Sequence, residues 1–255
     1  MPPSDASTTS TTAILRAPAK LTTELRVIGV RADGYHLIDS EMVSLSLADT
    51  VQVTAPASGS DEHRLTVTGP FAEGVPTDQS NLVVKALRLA GRSGDVHLDK
   101  QVPHGGGLGG GSSDAAAVLR WAGFGDLVAA SRLGADIPFC LIGGRARVSG
   151  IGEVVDQLPP QTVTYTIVIP PFGMSTPAVY RAWDDLGGPR GSNGNDLEPA
   201  AIAIEPRLVS WKRMIAECAG ATPRMAGSGS TWFLEGAHEA LSELLPGAIV
   251  LVVTT

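Results

Sequence analysis

Short runs rich in Val, Leu, Ile and Thr fill residues 13–19, 22–30, 39–47, 50–55 and 63–69. Turn signals separate several of them, Ala32-Asp33-Gly34, Leu47-Ala48-Asp49 and Ala57-Ser58-Gly59 among these, so the first 70 residues predict strands. The period then changes. Residues 80–92 carry apolar side chains at 82, 83, 86, 87 and 90 with Lys85 and Arg88 elsewhere, which predicts an amphipathic helix with Ser80 as its cap. Residues 96–102 predict another strand, which runs into Pro103-His104-Gly105-Gly106-Gly107-Leu108-Gly109-Gly110-Gly111-Ser112-Ser113-Asp114. Helix formers follow over residues 115–121, so the order is strand, glycine loop, helix.

A short helix over 127–133 and a strand over 139–148 come next, and Pro159-Pro160 punctuates the chain. Beyond it the pattern predicts strand 163–170, helices 177–186 and 199–219, strands 223–226 and 231–235, helix 237–244 and strand 247–253. The fold class is therefore α+β. The expected division is a disordered Ser/Thr-rich tail over 1–12, a first domain over 13–159 and a second over 160–255.

Composition narrows the function classes. Of 255 residues, 43% are apolar and 18% charged, and mean hydropathy is +0.13, which fits a folded globular chain. The net charge of −7 comes without a basic stripe, which argues against a nucleic-acid partner. The apolar run at 248–253 is far short of the ~20 residues of a membrane span. Residues 2–12 contain Asp5 and lack both the basic start and the apolar stretch of a signal peptide. Cys140 and Cys218 lie far apart, so neither a disulfide framework nor a four-ligand zinc site is expected, and a reducing cytoplasm is.

Six glycines within residues 105–111 are more than a surface turn needs. Clustered glycines let backbone pass close to a bulky anion, and a helix starting near Ser113 would aim its free amides and positive dipole end at that anion. A phosphate-binding loop is the reading. Gly105, Gly107 and Gly110 match the dinucleotide pattern, but the strands before them look antiparallel and no acidic residue follows at the required spacing. A Walker loop needs a lysine where Ser112-Ser113 stand, and the protein-kinase signatures are absent. Positive charge must come from elsewhere, and Lys20 in Pro18-Ala19-Lys20 is one candidate, with a solvated surface lysine as the plain alternative. Asp136, set between small residues and the apolar Ile137-Pro138-Phe139-Cys140, is either a partly buried carboxylate in need of a cation or a turn former.

Three segments together resemble the GHMP small-molecule kinases: Pro18-Ala19-Lys20, the loop over 103–114, and Met225-Ala226-Gly227-Ser228-Gly229-Ser230-Thr231. Within that superfamily, Ala32-Asp33-Gly34-Tyr35-His36, Leu133-Gly134-Ala135-Asp136-Ile137-Pro138-Phe139 and Asn195-Asp196-Leu197-Glu198 are similar to the 4-diphosphocytidyl-2-C-methyl-D-erythritol kinases, which act in the non-mevalonate route to isoprenoids. The resemblance spans residues 14 to about 253. It implies a two-domain GHMP kinase fold, an ATP-binding domain with a mostly antiparallel sheet followed by a ferredoxin-like α+β domain. It also implies ATP-dependent phosphorylation of the 2-hydroxyl of a cytidine diphosphate-linked sugar alcohol, with magnesium arriving with ATP, by a monomer or homodimer.

Residue by residue, the resemblance gives the triphosphate to Pro103, Gly105, Gly106, Gly107, Leu108, Gly109, Gly110, Gly111, Ser112 and Ser113. It puts Asn81 and Lys85 at the adenine. Asp136 becomes the base that takes the hydroxyl proton, with Lys20 beside it. Tyr35 and His36 match the cytosine-recognising pair, with Tyr180 and Arg181 closing the other face of the base and Thr22, Gly229 and Ser230 on the substrate side. From the residues alone, the plain alternative for Tyr35 is a hairpin aromatic packed on the core. Two positions depart from the family. Thr22 stands where it has asparagine, and only 22 residues separate Asp114 from Asp136, room for one helix and a brief second where the family carries two. A GHMP-type kinase for another small alcohol and a nucleotide-binding protein without catalysis are the alternative readings. His63, His97, His104 and His238 are scattered and suggest no metal site.

Overall fold

The structure is a computed structural model that describes residues 11–55 and 64–255. Most of the expected tail, the Ala57-Ser58-Gly59 turn and His63 lie outside the described residues. Two sheets organise the chain. Strands β1 (Thr12–Val30) and β2 (His36–Thr54) are each 19 residues long and pair antiparallel from Thr12↔Thr54 to Val30↔His36. Four short strands were expected there, and they are two long ones. What looked like breaks are register shifts at Pro18/Lys20, Thr22/Glu24 and Val27/Gly29, where the missing N–H of Pro18 falls at an irregularity in the ladder. The expected turn at Leu47-Ala48-Asp49 is also strand, because Asp49 turns its carboxylate into the interior and finds partners there.

Strand β3 (Leu65–Thr68) and strand β4 (Asp95–Asp99) pair in parallel across helix α1 (Leu82–Leu89), as a crossover helix allows. Asn81, not Ser80, caps α1: Val83 N donates to its Oδ1 at 2.9 Å, while Ser80 bonds Asp78. Helices α2 (Gly110–Trp121), α3 (Leu127–Ser131) and α4 (Ile137–Ile142) follow, then strands β5 (Arg145–Gly150) and β6 (Val154–Gln157). The expected strand over 139–148 is therefore helix for its first part. Pro138 sits in the first turn of α4, where its missing N–H costs nothing, and Gly143 at φ +71° ends it. The first sheet has the order β3-β4-β2-β5-β6 with β1 along β2, and α1, α2 and α4 pack on it through Val83, Leu87, Ala116, Leu119 and Phe139.

The second sheet is antiparallel in the order β10-β7-β9-β8, from β7 (Thr164–Ile169), β8 (Arg224–Met225), β9 (Trp232–Glu235) and β10 (Ile249–Thr254). Helix α5 (Thr176–Asp185), helices α6 (Glu198–Ile204) and α7 (Arg207–Ala219), and the short α8 (Leu241–Leu244) connect them. Counting its strands one to four, the order is 4-1-3-2, the arrangement of a ferredoxin-like βαββαβ unit, and the α+β class and two-part kinase architecture expected from the sequence are what the chain adopts. The single helix expected over 199–219 is broken at Pro206, which drives Glu205 to φ −136°. The sheets meet along an apolar seam in which Leu21, Val43 and Leu45 of the first pack with Ile167, Phe233 and Val253 of the second. Leu108, in the middle of the glycine loop, is buried in that same seam.

Candidate active site

The glycine loop is fixed from three sides. Lys20 N donates to Leu108 O at 2.9 Å, Ser113 Oγ donates to Pro18 O at 2.6 Å, and the Thr231 hydroxyl donates to Gly106 O. The three segments that carry the kinase resemblance thus meet in space. Helix α2 begins inside the glycine run, earlier than the sequence predicted, with Gly109 as its N-cap at φ +69°. A Cβ on Gly109 would lie 2.7 Å from Lys20 Cγ, so glycine here serves both the left-handed backbone and the close approach of Lys20. The free amides and dipole of this 12-residue helix point at whatever anion the loop holds.

Beneath the loop lies a cluster that sequence reading missed. Lys100 Nζ donates to Asp114 Oδ2 at 2.6 Å and to Asp49 Oδ2, and all three side chains are almost wholly buried. Asp49 also accepts from the amides of Gln101 at 2.6 Å and Val102 at 2.8 Å, whereas Asp114 Oδ1 has no partner among the described residues. One lysine cannot compensate two buried carboxylates. Burial pushes Asp114 up to about 7, against the pull of Lys100.

Above the loop, Lys20 Nζ sits 3.2 Å from Asp136 Oδ2 and donates to Thr22 Oγ1 at 3.1 Å. Lys20 and Thr22 are buried, while the Asp136 side chain is 30% exposed and opens into a cleft of about 670 Å³. Gly107 and Ser112 of the glycine loop line that cleft, as do Tyr35, His36, Tyr180 and Arg181. Tyr35 is 58% exposed under Arg31, at the rim and off the core. His36 is held by Tyr180, ring centroids 4.6 Å apart, and by Asp184 Oδ1, 2.8 Å from its Nε2. Burial, then the Asp136 charge, pushes the Tyr180 phenol up. Burial likewise pushes the Cys140 thiol up to about 12, which leaves it unreactive one helical turn from Asp136.

Other expected site residues fall elsewhere. Pro103, Gly105, Gly106 and Leu108 belong to the loop but not to the cleft wall, and Lys85 is exposed on α1. Asn81 spends both ends of its amide at home, Oδ1 on the α1 cap and Nδ2 donating to Pro76 O at 2.6 Å. Gly229 and Ser230 lie behind the wall, where Ser230 Oγ donates to Phe172 O, and their neighbours Gly227 and Ser228 face the cleft. Asn195 holds that turn by donating from Nδ2 to Met225 O at 2.8 Å and Gly227 O at 2.7 Å. No group of three or more His, Cys, Asp or Glu among the described residues is placed to hold a metal ion, and no helix among them is long and apolar enough to cross a membrane.

Residues 81–144, which contain the glycine loop and Asp136, match the family model of the GHMP kinases N terminal domain. A 4-diphosphocytidyl-2-C-methyl-D-erythritol kinase of Paracoccus denitrificans is 40% identical over 240 residues, covering 85% of this chain and 84% of its own, and one of Jannaschia sp. is 39% identical over 85% and 86%. A crystal structure of a 4-(cytidine 5'-diphospho)-2C-methyl-D-erythritol kinase superposes with a TM-score of 0.74 at 31% identity, covering 95% of this chain and 98% of that one. Identity at this level over most of the length, on a fold whose three motif-bearing segments meet at one cleft, leaves one assignment: the chain belongs to the GHMP kinases and, within them, to the 4-diphosphocytidyl-2-C-methyl-D-erythritol kinase family.

Proposed function

We propose that this protein transfers the γ-phosphoryl group of ATP to the 2-hydroxyl of 4-diphosphocytidyl-2-C-methyl-D-erythritol. The observation that carries the reading is the Lys20–Asp136 pair, 3.2 Å apart, in a cleft lined also by Gly107 and Ser112 of the glycine loop and by the His36–Tyr180 pair. The acceptor hydroxyl gives its proton to Asp136 as its oxygen forms a bond to the γ-phosphorus. The bond from that phosphorus to the bridging oxygen breaks, and ADP leaves with the electron pair. Phosphoryl transfer of this kind passes through a loose transition state, so positioning and charge stabilisation supply most of the rate. Lys20, anchored on Thr22 and on the backbone of Leu108, places positive charge beside the attacking oxygen, and the first amides of α2 face the phosphate oxygens.

The donor set fits a magnesium ion carried in by the nucleotide and ligated mainly by phosphate and water, with Asp136 and the Ser112 hydroxyl as the oxygen groups the cleft can add. Such an ion would neutralise charge on the triphosphate. Thr22 replaces the family's asparagine, and since its hydroxyl accepts from Lys20, its role is to hold the lysine as much as to meet the acceptor. The cytoplasm is the compartment this reading implies. Purified protein incubated with ATP and the cytidine compound is expected to release ADP and form the 2-phosphate in equal amounts. ADP release no higher than without the acceptor would overturn the reading, and turnover of the free sugar alcohol at the same rate would point to a kinase for another small alcohol.

A further inference from the structure

We infer that Asp184 sets the hydrogen-bonding polarity of His36 and thereby makes the cleft select cytosine over uracil. The inference rests on the proposed function and concerns how that cleft chooses its base. His36 opens β2 and its side chain is 11% exposed. Its ring is held on one side by Tyr180 at 4.6 Å, tilted by 34°, and on another by the edge of Trp183 at 5.6 Å. Nε2 lies 2.8 Å from Asp184 Oδ1, and among the described residues His36 makes no other side-chain hydrogen bond. Both the plane of the imidazole and the partner of one of its nitrogens are therefore fixed.

A carboxylate offers only acceptors, so in the neutral form of the imidazole, the form that can accept from a base, the hydrogen sits on Nε2, facing Asp184. Nδ1 is then an acceptor. It meets the base with a lone pair and rewards a ligand that presents N–H there. The exocyclic amine of cytosine presents such a hydrogen, and uracil presents a carbonyl oxygen at the same position, which would set two acceptors against each other. Without Asp184 the imidazole is free to carry its hydrogen on Nδ1, and the preference weakens. Asp184 is thus a positioning residue that acts through His36. It lies in the last turn of α5, so the helix that brings Tyr180 to the ring also brings the carboxylate four residues later.

The test compares kcat/KM for the cytidine compound and its uridine counterpart in the wild-type enzyme and in Asp184→Ala, Asp184→Asn and Asp184→Glu. An asparagine amide can rotate to donate to Nε2, so it no longer enforces one tautomer. Asp184→Ala and Asp184→Asn are expected to cut the cytidine-to-uridine ratio by about tenfold or more, the scale of one mispaired hydrogen bond, mainly through KM for the cytidine compound. Asp184→Glu, which keeps an acceptor-only partner, is expected to retain most of the preference. Ratios within about twofold of wild type in both the alanine and asparagine variants, or equal losses on both substrates, would overturn the inference and leave the proposed function standing. A wild-type enzyme that does not phosphorylate the cytidine compound would overturn the proposed function and the inference with it.

Discussion

Lys20 serves two acceptors from a buried position, Asp136 at 3.2 Å and Thr22 Oγ1 at 3.1 Å, and so joins the proposed base to the strand that carries it. Asp136→Asn keeps the volume but cannot take a proton, and kcat is expected to fall about 100-fold or more, a barrier of about 2.7 kcal/mol, with ATP affinity little changed. Lys20→Met should lose a similar factor, and the double variant should be little worse than either, since residues acting as one unit are not additive; steady-state kinetics of the three variants decide this. Both residues were legible in the sequence because each sits in an unusual frame, Pro18-Ala19-Lys20 and Gly134-Ala135-Asp136-Ile137-Pro138. Asp184 carried no such mark. One of two adjacent aspartates at the end of an amphipathic helix reads as a solvated face, and only the fold brings it against His36 across 148 residues of chain.

At the level of elements, α2 and the end of β4 are held in register by Lys100, Asp49 and Asp114. Lys100→Met would strand two buried carboxylates and is expected to destabilise the fold by about 3–5 kcal/mol, measurable by urea denaturation at pH 7.5. The cluster also gives stability a pH dependence of definite sign. Asp114 binds its proton up to about pH 7 in the folded protein, against an ordinary value of 3.8. Between these values the folded state holds a proton the unfolded state has released, so this residue favours folding more as pH falls through about 7 and less as pH rises. Wild-type stability relative to Asp114→Asn is expected to grow from pH 8 to pH 5, and a pH-independent difference would contradict the assignment. The sequence announced the glycine loop but not this support, because a lysine near the end of a strand and an aspartate in a helix are ordinary, and Asp49 falls in an expected turn. The strand and helix types in the second half were largely legible from their periodicity. The fused β1 and β2 and the helical α4 were not, because bulges preserve local strand composition and an apolar run of six looks alike in either state.

At the scale of the whole molecule, the two sheets share the seam at which the cleft opens, and a single buried carboxylate stitches it on the substrate side. Asp196, from the stretch before α6, lies alongside β1: Leu25 N donates to Gly194 O and Asp196 N to Leu25 O, each at 2.9 Å. Its carboxylate is fully buried and accepts four bonds, from Val27 N at 3.1 Å and Arg190 Nη1 at 2.8 Å on one oxygen and from Gly191 N at 3.0 Å and Arg26 Nη1 at 2.9 Å on the other. Burial alone would push this acid up, but the bonds from Arg26, Gly191, Val27 and Arg190 together outweigh it and hold it below its ordinary 3.8. A lowered folded value means that the stabilisation is complete above 3.8 and is lost as pH falls through the folded value. Asp196→Asn must turn its amide nitrogen toward one pair of donors, converting two of the four bonds into repulsions. The variant is expected to lose about 3 kcal/mol at pH 7, and the gap to wild type should narrow below about pH 4, where the carboxylate of the unfolded wild-type chain takes a proton before that of the folded one. Because the neighbouring Asn195 holds the carbonyls of Met225 and Gly227 at the cleft wall, the same variant should raise KM more than it lowers kcat. Urea denaturation at pH 7 and pH 3.5, run beside steady-state kinetics at pH 7, tests both halves: equal stability of the two proteins at pH 7 would show that the seam is held by its apolar contacts alone.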